Sequence, residues 1–312
     1  MVVLDWLLES DPALRWQVLR DLTDASPDQV AAERARVAQE GWGARLLALR
    51  GSDGQWAGGA CFPADFRGDF SAGQPWTSTF PALSLLRELG VDPNAPIVRE
   101  TTELVTRNCR WEHAGQPFFD GEVEPCINGR TVSLGIYFGV DVEGIVTRLL
   151  GEQLADGGWN CEAEHGSIRS SFHTTICVLE GLLDYEQATG GSARITEARE
   201  RGQEYLLSRR LLYRLSTGEV VEPSWLLFSY PVWWHYDVLR ALDYFRAADT
   251  ADPRQAEAIE LVRSKRQNDG RWLLEDTHPG EVHFVMEDGD GAPSRWNTLR
   301  ASRVLEWADK RA

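Results

Sequence analysis

The sequence predicts an all-α protein, an (α/α)6 barrel or toroid built from helical hairpin repeats with loops covering one end. Three observations carry this expectation. The tetrapeptide Asp-Gly-x-Trp occurs three times, as Asp53-Gly54-Gln55-Trp56, Asp156-Gly157-Gly158-Trp159 and Asp269-Gly270-Arg271-Trp272, each ahead of another helix-like segment. Helix-like segments of two kinds alternate along the chain, one apolar on several faces and the other more charged. The apolar kind recurs at hairpin-length intervals, with starts at Thr77, Cys126, Phe172, Trp233 and Trp296 that lie 49, 46, 61 and 63 residues apart. A glycine turn followed by a Trp anchor suits a helix–turn–helix unit that buries its apolar face against the next copy.

Taken in order, Asp11 before Pro12 caps a short helix over 13–22. Pro27-Asp28 opens a longer, alanine-rich helical stretch toward Arg50, interrupted around Gly41-Trp42-Gly43. Segments 77–89, 126–140, 172–185, 233–245 and 296–308 read as inner helices. Segments 94–109, 141–154, 192–208 and 252–267 need a solvated face and read as outer ones. With the N-terminal candidates this makes about six pairs, and closing them into a ring buries the contacts between neighbours. An open superhelical array would need polar caps, whereas both ends here carry Trp-bearing apolar patterns. Residues 65–73 and 275–294 read as loops, either over a cavity mouth or simply in solvent. No Pro/Gly/Ser linker or block of one charge sign divides the chain, so a single domain over 1–312 is expected.

Composition narrows the function classes. The net charge of −16 sets an overall field that repels nucleic acid, and no Lys/Arg run offsets it. Five scattered cysteines, an odd number, do not suggest a small disulfide scaffold. The start lacks a basic region followed by an apolar run, and no apolar segment is long enough to cross a bilayer, so a cytoplasmic protein is expected. Thirteen tryptophans supply rigid walls for a core or a cavity.

The Trp-turn pattern resembles the glutamine–tryptophan repeats of the prenyltransferase/squalene-cyclase repeat superfamily. Gln153-Leu154-Ala155-Asp156-Gly157-Gly158-Trp159 is the best copy, and Gln267-Asn268-Asp269-Gly270-Arg271-Trp272 is one residue shorter. The resemblance covers most of the chain and implies an α/α toroid with a central cavity. The Asp-x-Asp-Asp acid of class II terpene cyclases is not reproduced by Asp288-Gly289-Asp290-Gly291 or by Asp5 and Asp11. Glu124-Pro125-Cys126 and Phe172-His173-Thr174 are similar to the zinc-site segments of protein prenyltransferase β subunits. That likeness implies Glu124, Cys126 and His173 as Zn²⁺ ligands. The basic segment that serves diphosphate in that branch is replaced by Phe118-Phe119-Asp120-Gly121-Glu122-Val123, and no companion subunit is implied.

The residue types support the same chemistry independently, since thiolate, imidazole and carboxylate suit tetrahedral zinc with an open fourth position. A buried thiol and a bracing histidine remain the alternative readings of Cys126 and His173. Cys177 reads as core, while Cys161 and His165 are minor candidates for the same rim. His235 and Asp237 are the candidate proton-transfer pair, with Asp237 in a secondary, orienting role. Trp76, Trp233, Trp234, Tyr236 and Trp296 are candidates for an aromatic cavity wall, and Arg130 and Arg169 for receiving an anionic group. Three functions stay open. The leading one is an enzyme, possibly zinc-assisted, acting on a small, partly apolar molecule by transfer, lyase or hydrolytic chemistry. The others are a nonstandard terpene cyclase and a noncatalytic lipid or small-molecule binder. No nucleotide cofactor, nucleic acid or obligate protein partner is expected.

Overall fold

The computed structural model describes residues 3–311. Its helices are α1 (Val3–Leu8), α2 (Pro12–Leu22), α3 (Pro27–Ala35), α4 (Gly41–Ala48), α5 (Thr79–Leu89), α6 (Pro96–Asn108), α7 (Pro125–Phe138), α8 (Glu143–Gly151), α9 (Phe172–Thr189), α10 (Ala193–Leu207), α11 (Val238–Ala247), α12 (Ala256–Ser264) and α13 (Arg295–Asp309). Two dipeptide strands, β1 (Trp272–Leu273) and β2 (Pro293–Ser294), pair antiparallel. The fold is therefore all-α with long-range helix packing.

The alternation of apolar and charged helices is a burial pattern. Nine of the eleven residues of α5 are buried, against four of thirteen in α6. Ten of eighteen are buried in α9, against two of nine in α12.

The three Asp-Gly-x-Trp copies form the same structure. In each, the first turn residue receives its partner's carbonyl: Gly51 N–H donates to Gln55 O at 2.8 Å, Leu154 to Gly158 at 2.9 Å and Gln267 to Arg271 at 2.8 Å. Each Trp N–H then donates to a threonine on the following buried helix, Thr79 (3.2 Å), Thr175 (3.1 Å) or Thr298 (3.0 Å). All three indoles are buried. The indole N–H of Trp56 donates to Leu46 O and that of Trp159 to Leu149 O, so each also ties off the end of the preceding helix. Gly157 stands at φ +99°, and a Cβ there would approach Arg201 O to 2.6 Å, so this turn requires glycine.

The chain divides into two compact units, which are described separately: Met1–Phe118 with Tyr137–Gly139 and Gln267–Leu299, and Phe119–Ile136 with Val140–Arg266 and Arg300–Ala312. The division passes within α7 and α13. In the first unit α2 packs on α1, α3 and α4, and α4 packs on α5. Asp11 caps α2 through Ala13 N–H and also accepts from Trp42 N–H at the start of α4 (2.8 Å). A cleft of about 520 Å³ lies between α2 and α3, lined by Trp16, Arg20, Val30 and Arg34 among others. In the second unit α9 packs on α10 and α11, α10 on α8, and α11 on α12. Here α7 and α9 meet backbone to backbone. A Cβ on Gly129 would stand 2.4 Å from Cys177 O, and one on Gly181 2.2 Å from Gly129 O.

Two element expectations are corrected, and a third gains a detail. The stretch after Pro27 breaks at Gln39-Glu40, and Gly41 opens α4 instead of interrupting a helix. Residues 233–237 are irregular, and α11 starts only at Val238 because Asp237 caps it, accepting from Arg240 N–H at 2.6 Å. The 275–294 excursion leaves and returns through the β1–β2 ladder, which pairs Trp272 with Ser294.

A thiol and carboxylate cluster as candidate metal centre

The loop entering α7 is pinned from two sides. Asn128 accepts from Glu122 N–H and donates to Glu122 O, each at 2.7 Å. Arg148 donates to Glu122 O (2.7 Å) and Val123 O (2.9 Å), and the Glu122 carboxylate accepts from Glu124 N–H (2.7 Å). Glu124 and Cys126 are thereby fixed at the first turn of α7, where the Cys126 thiol donates to Glu124 Oε2 at 3.4 Å.

The third member comes from the turn after Trp159. Asn160 caps the short turn Cys161–Ala163, accepting from Glu162 N–H, and its amide holds Arg169 O at 2.7 Å. The Cys161 sulfur lies 2.9 Å from Cys126 Sγ and 3.4 Å from Thr174 Oγ1 at the start of α9. Donor atoms of Glu124, Cys126 and Cys161 all lie within 4.8 Å of one another. The neighbouring thiol first, and burial second, push the Cys126 pKa well above its ordinary value. Such a pair resists double ionisation by itself, and a divalent cation removes that resistance because coordinated thiols are deprotonated. The donor set, two sulfurs and one carboxylate oxygen, is of the kind that holds zinc.

His173, expected from the sequence as a ligand, is not among the donor atoms that lie within 4.8 Å of one another. Its Nδ1 accepts from Tyr236 N–H at 2.8 Å, so a neutral ring carries its proton on Nε2. A ligating histidine has the opposite arrangement, donating with one nitrogen while the other holds the metal. Cys161 takes the third place. Its proximity to Trp159 and the lack of a CxxC spacing concealed it. The available signal was positional, since it follows a repeat turn at the chain end of the hairpin where α7 and α9 also begin.

His173, half-exposed, is instead framed by rings. Trp225 stands 5.3 Å away, Trp234 5.2 Å and His235 6.0 Å, with Trp234 stacked on His235 at 3.8 Å. Thr174, next along α9, touches Cys161, so this ring cluster adjoins the thiols. Tyr236 and Trp225 are buried against Phe172 at 5.1 and 4.7 Å, and the Tyr236 hydroxyl donates to Leu211 O. Tyr236 thus acts as a core anchor.

The irregular segment that carries Trp233, Trp234 and His235 is held by guanidinium groups. Arg300 donates to Ser229 O (3.1 Å), Arg130 to Trp233 O, and Arg240 to His235 O (2.6 Å). Arg130 therefore serves this backbone, with Trp233 at φ +48°. Arg240 also grips both oxygens of Glu180, at 2.8 and 2.7 Å, and reaches the buried Cys177 thiol at 3.4 Å. Burial alone would lower the Arg240 pKa, but the Glu180 carboxylate outweighs it and holds the group charged. Asp237 is buried as the α11 cap, with Arg300 3.9 Å away. Arg169 is exposed, and its carbonyl accepts from Asn160. Trp76 and Trp296 belong to the other unit, where both are buried. Trp76 donates to Pro279 O at 3.1 Å, and Trp296 packs 6.2 Å from Trp42.

Among the described residues no helix is long and apolar enough to cross a membrane. No protein-family model matches the chain, and no curated protein matches it.

Proposed function

We propose that the chain is a zinc-dependent enzyme of the prenyltransferase/squalene-cyclase type of α/α toroid, a single functional domain over residues 1–312, acting on a small, partly apolar molecule by group transfer. The observation that carries this reading is the convergence of Glu124, Cys126 and Cys161 beside the ring cluster of His173, Trp225, Trp234 and His235. Zinc held by two thiolates and a carboxylate would lower the pKa of a substrate thiol or hydroxyl at its open position. Two thiolates donate charge and weaken Lewis acidity, which favours activating a nucleophile over polarising a carbonyl. Within the chain, Glu124, Cys126 and Cys161 would hold the metal. Trp225 and Trp234 pack the apolar part of the substrate and exclude water. His235, stacked on Trp234, accepts the proton, and its position is kept by Arg240 on its carbonyl.

Protein purified without added metal should contain about one zinc per chain by elemental analysis. Cys126→Ser and Cys161→Ser should each lose most of it, while His173→Ala and Cys177→Ser keep it. Full occupancy in both Cys126→Ser and Cys161→Ser would overturn the assignment. Turnover is then sought with apolar thiols and alcohols and alkyl donors, comparing wild type with folded Cys126→Ser.

A further inference from the structure

We propose that Cys126 and Cys161 form a reversible dithiol–disulfide pair, so that oxidation of the cluster and its metal occupancy exclude one another. The exclusion rests on the zinc reading above, whereas the cross-link rests on the thiol geometry alone. Both cysteines are free, and their sulfurs stand 2.9 Å apart. A disulfide bond measures about 2.05 Å. Two thiolates on one tetrahedral zinc, each about 2.3 Å from it, lie about 3.8 Å apart. The pair therefore sits between the two states, and a movement of under about 1 Å in either direction reaches one of them.

The supporting elements differ in how readily they move. Cys126 is on the turn of α7 that Asn128 and Arg148 pin from both sides. Cys161 is on a turn whose following residues Glu162, Glu164, His165, Gly166, Ile168 and Arg169 are exposed. The adjustment thus falls to the Cys161 turn. Access separates this pair from the other thiols. Cys126 and Cys161 each keep part of their surface open, whereas Cys61, Cys109 and Cys177 are buried.

A peroxide supplies the oxidant. Its O–O bond breaks as Cys161 sulfur takes one oxygen, giving a sulfenic acid and releasing water or an alcohol. The Cys126 sulfur then attacks Cys161 sulfur, the S–S bond forms and the hydroxyl leaves as water. Two electrons pass from the two thiols to the peroxide, and both thiol protons end in the released oxygen species. A dithiol reductant reverses the cross-link by exchange.

The test uses the full chain, chelator-treated or zinc-loaded, exposed to stoichiometric hydrogen peroxide, alkylated and mapped without reduction. The chelated protein should lose two of its five free thiols and yield a Cys126–Cys161 linked peptide that dithiothreitol removes. Cys161→Ser should yield none, and Cys177→Ser should behave as wild type. Zinc loading should slow the cross-link at least about tenfold, with metal released, on a chromogenic indicator, as the link forms. Oxidation of the chelated wild type that leaves Cys126 and Cys161 unlinked would overturn the proposal. A cross-link formed equally fast in protein shown to hold zinc at this cluster would overturn the exclusion. Protein that cross-links but binds no zinc would overturn the metal reading while leaving the redox pair standing.

Discussion

Replacing Trp159 by alanine removes an indole with no exposed surface together with its ring N–H bond to Leu149 O, while the main-chain amide keeps its bond to Thr175 Oγ1. The indole buries on the order of 200 Å², which at about 25 cal/mol per Å² corresponds to about 5 kcal/mol of transfer free energy. Relaxation into the space is limited, because α10 is already in contact at Gly202, where even a Cβ would come within 2.9 Å of the ring. Measured truncations of this kind cost about 3–5 kcal/mol, and the upper half of that range is expected here. For a unit of this size that is a fall in melting temperature of about 8–20 °C. Thr175→Val is the companion variant. It keeps the shape but leaves the buried Trp159 N–H without its acceptor, for a loss of about 1–3 kcal/mol. Calorimetry and urea unfolding measure both. A Trp159→Ala protein melting within about 2 °C of wild type would refute the anchoring role, since a ring lining a substrate cavity alters ligand binding rather than stability.

Other consequences follow from the buried charges and the ring cluster. Glu180→Gln strips the carboxylate from an arginine whose side chain is 3% exposed; the loss should fall near the lower end of about 3–5 kcal/mol, because Glu180 keeps 28% exposure. Urea midpoints, with Cys126 reactivity as a local readout, measure it, and an unchanged midpoint would remove Arg240 from the scaffold. Burial would raise the Asp243 pKa, but Arg246, Arg303 and Arg300 outweigh it and hold the group below its ordinary 3.8. Its stabilisation is present above that value and is lost as pH falls through the lower folded pKa. Asp243→Asn should therefore flatten the acid limb of stability below about pH 4, and an unaltered limb would argue against the cluster. His235→Gln should keep wild-type melting and zinc content yet lose turnover of whichever substrate the wild type accepts; full turnover would remove His235 as the essential base.

The repeat turns were legible because their determinants are local. Asp-Gly supplies the turn and Trp follows within four residues, so each copy stands in one stretch of sequence. The same holds for Asp11 capping α2 and for Glu124 and Cys126 around one proline. The threonine acceptors were not legible, since they lie 23, 16 and 26 residues from their tryptophans. The start of α11 was misread for a related reason. Residues 233–237 have an apolar helical pattern, but arginines from α7 and α11 occupy the Trp233 and His235 carbonyls, and Asp237 caps the helix after them.

By itself, the sequence determined that the chain is helical, where its three Asp-Gly-x-Trp turns fall and that one carboxylate and one thiol share a helix start. Periodicity, capping and turn chemistry act over a few residues and can be read along the chain. Which further group meets that thiol was decided only by tertiary structure. Backbone contact at Gly129 and Gly181 sets α7 against α9, Thr174 on α9 meets the Cys161 turn, and Cys161 rather than His173 reaches Cys126. His173 instead accepts a long-range hydrogen bond from Tyr236 N–H, formed across 63 residues. A ligand set depends on distances of a few ångströms between remote segments, and residue spacing along a chain does not encode them.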